Sequence, residues 1–436
     1  MSTGKTEKNV ALPTSWDVRP LGEVVQPTRP RIKPSEKPNL PFIGMENIEA
    51  HTMKLLGTVP AGTMKSSAVH FQPDDVLYGR LRPYFEGLCS AEFIVFPKTE
   101  SIDSRFLQYF LNSSSFASHA SHLNAGDRPR VDFEQLSPYP FPVAPYEQQK
   151  RIVAEIEKQF SRLDEAVASL KRVKANLNRY KASVLKAAVE GKLTEHWRKL
   201  HPNVEPASKL LERILAERRA KFGRKKDSFL TAEGDPPAEA PDGWAICSID
   251  QIAECLDAKR VPVNKAERAK RGGNVPYYGA NGQVGVIDDY IFDEPVVLVV
   301  EDETFTGRTQ AFSYLIRGKS WVNNHAHVLR ATDAVTASYL NYGLAHYPFI
   351  PRTTGSTGRR KLTQRGLMTA PFLLPPLIEQ EQIVAEVERR LSVIDELEAT
   401  VEANLTRADR LRQSILSQAF SGKLVKPNPA RMMKGY

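Results

Sequence analysis

The chain has 436 residues, too many for one ordinary hydrophobic core, so two or three domains are expected. Its formal net charge is +9 and its pI about 9.2, a balance that fits a polyanionic partner, nucleic acid ahead of membrane. No apolar run approaches the roughly 20 residues of a membrane span, MSTGKTEKNV at the N-terminus lacks a signal core, and Cys89, Cys247 and Cys255 form neither a CxxC pair nor a disulfide framework, which points to a reducing cytoplasm.

In chain order, residues 1–146 read as a mixed α+β domain, with strand-like FIVF at 93–96 and helix-like SRFLQYFLN at 104–112. Its loops carry two basic clusters: Arg80 and Arg82 with Tyr84 in GRLRPY, and Arg128 and Arg130 in GDRPR. Residues 147–190 have one helical face and neither proline nor internal glycine, so a single helix of roughly 64 Å is expected at 1.5 Å per residue. Residues 191–240 read as a linker holding a short basic helix, SKLLERILAERRAKFGRKK, and an acidic, proline-rich stretch. A second α+β domain follows at 241–376, with strand-like PVVLVV at 295–300. Its basic loops supply Arg308, then Arg352, Thr354, Ser356, Arg359, Arg360 and Lys361 in RTTGSTGRRK. A second long helix covers 377–422, and 423–436 form a tail.

The two long helices are copies of each other. IVAEIEKQF starts at Ile152 and IVAEVERRL at Ile383, an offset of 231 that holds without a gap from the Pro145/Pro376 pair to the Leu193/Leu424 pair. An ungapped match of that length means that geometry fixes the element, because a loop tolerates insertions. The apolar positions predict matching seams. The first holds Ile152, Ile156, Phe160, Leu163, Leu170, Val173, Leu177 and Tyr180; the second holds Ile383, Val387, Leu391, Ile394, Leu397, Val401, Leu411 and Ile415. Each seam needs a partner of equal length, and the other copy provides it. The domains repeat more faintly: Trp16 lies opposite Trp244, and NLPFIG at 39–44 opposite NVPYYG at 274–279. The fold class expected is thus α+β, two mixed globular domains joined by two long antiparallel helices packed as a coiled-coil-like pair, with a pseudo-twofold internal repeat.

Catalytic motifs fail on inspection. GANGQVG at 279–285 lacks the strand–GxGxxG–helix context and reads as a turn between strands. RGKS at 317–320 would put the first P-loop glycine on Ser313. The Asn-Pro-Pro-aromatic motif of amino-methyltransferases does not occur, and the acids of VVEDETF at 299–305 lack a nuclease lysine. HAH at 325–327 and HASH at 119–122 lack a third metal ligand at a telling spacing. The basic loops carry the chemistry that remains. Arginine makes paired bonds to guanine or phosphate, and glycine with hydroxyls lets a backbone approach phosphates.

Several segments together resemble the specificity subunit of type I restriction–modification systems. They are FPVAPYEQQKRIVAEI at 141–156, LLPPLIEQEQIVAEV at 373–387, AAVEGKLTEHWR at 187–198, SILSQAFSGKL at 414–424, DVLYGRLRPY at 75–84, VPYYGANGQVG at 275–285 and WVNNHAHVLR at 321–330. The resemblance covers nearly the whole chain, with Ala144 departing where the second copy has Pro375. It implies two target-recognition domains, each reading half of a split double-stranded DNA site, and two helices that fix the spacer. It implies a non-catalytic cytoplasmic subunit partnered by two methyltransferase (modification) subunits and by restriction/translocase subunits. S-adenosylmethionine and ATP are expected on those partners, with neither cofactor nor metal in this chain. The rival readings are a coiled-coil scaffold that binds no DNA, and an unrecognised DNA methyltransferase or nuclease.

Overall fold

A computed structural model describes residues 12–27, 30–48, 54–78, 87–123, 131–222, 229–303, 305, 308, 310–355 and 360–425. The chain divides into two compact units, one of residues 1–172 with 401–436 and one of residues 173–400. These boundaries depart from the expected ones. Both long helices form, Tyr146–Val189 and Leu377–Phe420, but each contributes one part to each unit.

In the first unit a five-stranded sheet runs in the order Arg31–Ile32, Ala68–Phe71, Gly87–Ser90, Pro41–Ile43, Val59–Pro60. Beside it, Asp17–Pro20 pairs antiparallel with Pro140–Val143. The largest core of this unit joins Trp16, Phe106, Phe110 and Phe141 to Ile152, Ile156 and Phe160 of the first helix and to Leu416 and Ala419 of the second. Arg412 lies over the Phe160 ring and pairs with Asp164, so the helix segments run antiparallel here.

The second unit repeats the plan. Ala245–Ser248 pairs antiparallel with Pro371–Leu374, and Val184, Leu185 and Ala188 of the first helix share a core with Ile383 and Val387 of the second. Lys181 Nζ meets Asp395 Oδ1 at 2.8 Å. The two cross-helix ion pairs are copies: Asp164 and Lys181 become Asp395 and Arg412 at the 231-residue offset.

The seam needs one correction. Leu411, Leu397, Val173 and Tyr180, placed on it by a 3.6-residue period, are each more than 40% exposed. On the second helix the buried and half-buried positions include the series 383, 387, 391, 394, 398, 401, 405, 408, 412, 415 and 419. From 391 to 419 they alternate steps of three and four, the 3.5-residue period of helices wound on each other. That period puts Glu398 and Arg412 where the 3.6 reading put leucines, and likewise moves Tyr180 outward in favour of Lys181. Ile152, Ile156, Phe160, Ile383, Val387, Ile394 and Val401 are buried, and Leu163, Leu170, Leu177, Leu391 and Ile415 half-buried.

The repeat also explains how each helix is anchored. Gln149 Nε2 donates to Ala144 O (2.8 Å) and Ser101 O (3.1 Å), while its Oε1 accepts from Asp103 N (2.8 Å). Its copy Gln380 donates to Pro375 O (3.1 Å) and Ala334 O (2.9 Å) and accepts from Thr336 N (2.8 Å). Both side chains are fully buried, and both accepted amides belong to the residue that caps a short helix, Ser104–Leu111 or Ala337–Ala345. At their far ends the long helices stop at Gly191 and Gly422, with φ of +69° and +73°. A Cβ on Gly422 would lie 2.4 Å from Pro13 Cδ. Gly422→Ala is therefore expected to lower the unfolding free energy by about 1–3 kcal/mol in a urea titration, whereas Gly57→Ala, with open space around it, leaves it unchanged.

The segment read as a linker is part of the second unit's core. Helix Ala207–Phe222 buries Ala207, Leu210, Leu211, Ile214 and Leu215 among the residues of that core, and Arg218 Nη1 donates to Asp250 O and Gln251 O at 2.9 Å. Its apolar stripe, at helical spacing, outweighs the basic composition that suggested an exposed connection. Among the described residues no helix is long and apolar enough to cross a membrane.

Candidate nucleic-acid interface

In the second unit, strands Val275–Gly279 and Lys319–Val322 lie side by side and parallel, so the loops that follow them leave from the same end. Ala280 and Asn281 follow the first strand, and Asn323–His325 the second. Strand Val296–Val300 pairs antiparallel with Ala326–Ala331, with Val300 opposite Ala326, so Glu301 and Asp302 emerge beside that loop. Asp302–Glu303 in turn pairs with Arg360–Leu362. Arg308, whose side chain reaches Asn281, and Arg360 and Lys361, some 50 residues further on, thereby lie at the same end of these strands.

Side-chain bonds hold this surface. Arg308 Nη2 donates to Asn281 Oδ1 at 2.8 Å and to Ala311 O at 3.0 Å. His325 Nδ1 sits 2.8 Å from Asp302 Oδ1, and its backbone N–H donates to Asn323 Oδ1 at 2.9 Å. Arg360 donates to Thr353 Oγ1 (2.6 Å) and Thr353 O (3.2 Å), and the Thr354 hydroxyl contacts Lys361 O at 3.4 Å. Lys361 Nζ lies 3.0 Å from Glu301 Oε1.

Below the surface is a charged network. Arg260 Nη1 donates to Glu301 Oε2 at 2.5 Å and to Ala326 O at 2.7 Å, and Arg260 Nη2 lies 3.3 Å from Asp257 Oδ2. His327 has one ring nitrogen 2.5 Å from Asp257 Oδ2 and the other 2.8 Å from Leu362 O. Burial works to raise the Asp257 carboxyl, but the bonds from His327 and the Val328 amide and the Arg260 charge outweigh it and hold it below the usual range. Glu301 is likewise lowered: its burial is outweighed by bonds from Arg260 and Lys361 and by the nearby His327. The network pins strand Arg360–Leu362 to the core, which fixes the base of the basic loop. Cys255, Asp257 and His327 have potential ligand atoms within 4.8 Å of one another. Burial, first of all, pushes the Cys255 thiol up to about 12, and Arg260 and Lys361 already neutralise the carboxylates, so this donor set favours an ion-pair network over a metal centre.

The sequence profile described as the type I restriction modification DNA specificity domain matches residues 13–179 and again residues 241–407. The chain belongs to that family. Among its relatives is a type I restriction enzyme specificity subunit of Haemophilus influenzae, 33% identical over 136 residues, 31% of this chain and 34% of that one. The EcoKI specificity subunit of Escherichia coli is 25% identical over 339 residues, covering 74% of this chain. The matches span about a third and just under two thirds (34% and 66%) of those relatives' own lengths. A solved structure described as "Structural basis underlying complex assembly and conformational transition of the type I R-M system" matches with a TM-score of 0.64 at 19% identity, over 95% of this chain and 99% of that one. It has the same fold.

Within this specificity-domain chain, the residues expected from sequence fare unequally. Arg308, Thr354, Arg360 and Lys361 come together as described. Arg352 is bonded within its domain, as Arg308 and Arg360 are. It donates to Gly366 O, Glu233 O and Thr369 Oγ1 at 2.7–2.8 Å, so its guanidinium braces the domain. Ser356 and Arg359, and in the first unit Arg80, Arg82, Tyr84, Arg128 and Arg130, lie outside the described residues. Local sequence does not single out Asn281, Asn323, Asn324 and His325. A parallel pairing between strands some 40 residues apart puts the Asn323–His325 loop at the same end as Asn281, which bonds Arg308, and local sequence does not announce such a pairing.

Proposed function

We propose that the chain is the DNA-recognition subunit of a type I restriction–modification complex. It binds a bipartite site in double-stranded DNA, one half per globular domain, across a spacer of fixed length set by the long helices. It carries no catalytic group of its own. Two methyltransferase subunits, which hold S-adenosylmethionine, and restriction/translocase subunits, which hold ATP, assemble on it in the cytoplasm. The observation that carries this reading is the convergence of Arg308, Arg360 and Lys361 with polar loops at one end of the second domain, in a chain that repeats its framework but not its loops.

The test is selection of binding sites from randomised duplexes by the chain assembled with its modification subunits. Two constant blocks separated by an unconstrained gap of fixed length are expected, with affinity falling steeply as salt rises. Arg308→Ala is expected to relax one position in one block by about 5- to 150-fold and to leave the other block intact. Salt-independent binding, or equal loss in both blocks, would refute the modular reading.

A further inference from the structure

The loop Asn323–His325 is more tightly held than an exposed turn requires. Asn323 N donates to Tyr278 O at 3.0 Å, and Asn323 Oδ1 accepts the His325 N–H at 2.9 Å. The His325 ring is tied to Asp302 at 2.8 Å, and His325 O accepts from Glu301 N at 3.1 Å. Gly279 leaves room for Asn323: a Cβ there would sit 3.1 Å from Asn323 Nδ2. Asn324, between the two anchored residues, is exposed. The carboxamides around it are engaged, Asn281 with Arg308, Asn323 with His325, and Gln283 with Gly285 O. Asn324's own carboxamide makes no hydrogen bond among the described residues. It borders a cleft of about 440 Å³ that Arg268 and Val284 also line.

A carboxamide offers one donor group and one acceptor side by side. Held on a loop anchored on both sides, at the edge of a cleft that Arg268 also lines, it matches the N7 acceptor and N6 donor on the major-groove edge of adenine. A phosphate contact requires only a donor, and would not need the loop fixed from both sides. We infer that Asn324 reads the adenine of an A·T pair in the half-site bound by the second domain. This rests on the proposed DNA-reading function and adds a base identity and a specificity-determining residue to it.

The experiment repeats the duplex selection with the assembled complex for wild type, Asn324→Ala and Asn324→Asp. Wild type is expected to select A·T at one position of one block. Asn324→Ala is expected to lose that preference by about tenfold or more there while keeping every other position. Asn324→Asp, which retains only acceptors, is expected to move the preference toward cytosine, whose N4 donates. Because Asn324 is exposed and bonded to none of the described residues, both variants should unfold at the wild-type temperature. An unchanged consensus with Asn324→Ala overturns the inference, as does an equal loss of affinity for every sequence, the mark of a phosphate contact. A wild-type complex that selects no sequence overturns the DNA-reading function itself, and the inference with it.

Discussion

Glu379→Ala is expected to cost the second unit about 3–5 kcal/mol of stability. The Glu379 carboxylate is 1% exposed and serves three donors: the Thr194 hydroxyl at 2.7 Å, Trp244 Nε1 at 2.9 Å and the Arg198 guanidinium. Arg198 also donates to Gly191 O at 3.0 Å, the residue where the first long helix ends. Removing the carboxylate strands a half-buried cation and two donors that have no other hydrogen-bond partner among the described residues, and it releases the segment after the helix from the domain. The first unit gives the comparison. Its equivalents are Gln148 and Trp16, and there Gln148 Nε2 and Trp16 Nε1 are buried without a hydrogen-bond partner among the described residues. Gln148→Ala is thus expected to cost less than about 1 kcal/mol of hydrogen bonding. Urea denaturation followed by tryptophan fluorescence separates the two variants, since Trp244 reports directly on the site. A Glu379→Ala protein as stable as wild type would mean that the three donors find water or other acceptors, and that this node does not hold the segment.

The contrast shows what the sequence discloses and what it conceals. The 231-residue offset aligns Glu379 with Gln148, yet the exchange of one for the other looks conservative until Thr194 and Arg198 are seen to converge on the first. The helices were legible because one seam carries them over more than 40 residues. Their winding was not, because 3.5 and 3.6 residues per turn differ by one position only after several turns, where Lys181 and Arg412 displace Tyr180 and Leu411 from the covered face. Composition drew attention to the charges of Ala207–Phe222, while its stripe of Leu210, Leu211, Ile214 and Leu215 decided its place. Arginines in loops were easy to find, but sorting them required geometry. Arg352 is tied to Gly366, Glu233 and Thr369, and Arg308 to Asn281 and Ala311, at the end of the strands where the loops leave. Asn324 carried no signal at all, since one exposed asparagine resembles any other until its neighbours are seen to be anchored.

Removing one heptad from each long helix, residues 169–175 and 401–407, is expected to shorten the preferred spacer between half-sites by up to about three base pairs, because seven residues span about 10 Å of helix and a base pair about 3.4 Å. Seven is the number that preserves the seam, since the covered positions on the second helix repeat at that interval. The deleted stretches lie between the two cross-helix ion pairs in sequence, so Asp164 keeps Arg412 and Lys181 keeps Asp395. A four-residue deletion from the first helix alone is the contrasting case. It shifts the residues that follow, Lys181, Val184 and Ala188 among them, by about 6 Å along an unaltered partner and turns them by about 40–50° about the helix axis, and is expected to cost stability and binding together. Circular dichroism establishes that the matched deletion remains helical, and duplex selection then reads the spacer. A helical, DNA-binding variant that still prefers the wild-type gap would show that the helix pair does not set the separation, and the role proposed for the internal repeat would have to be abandoned.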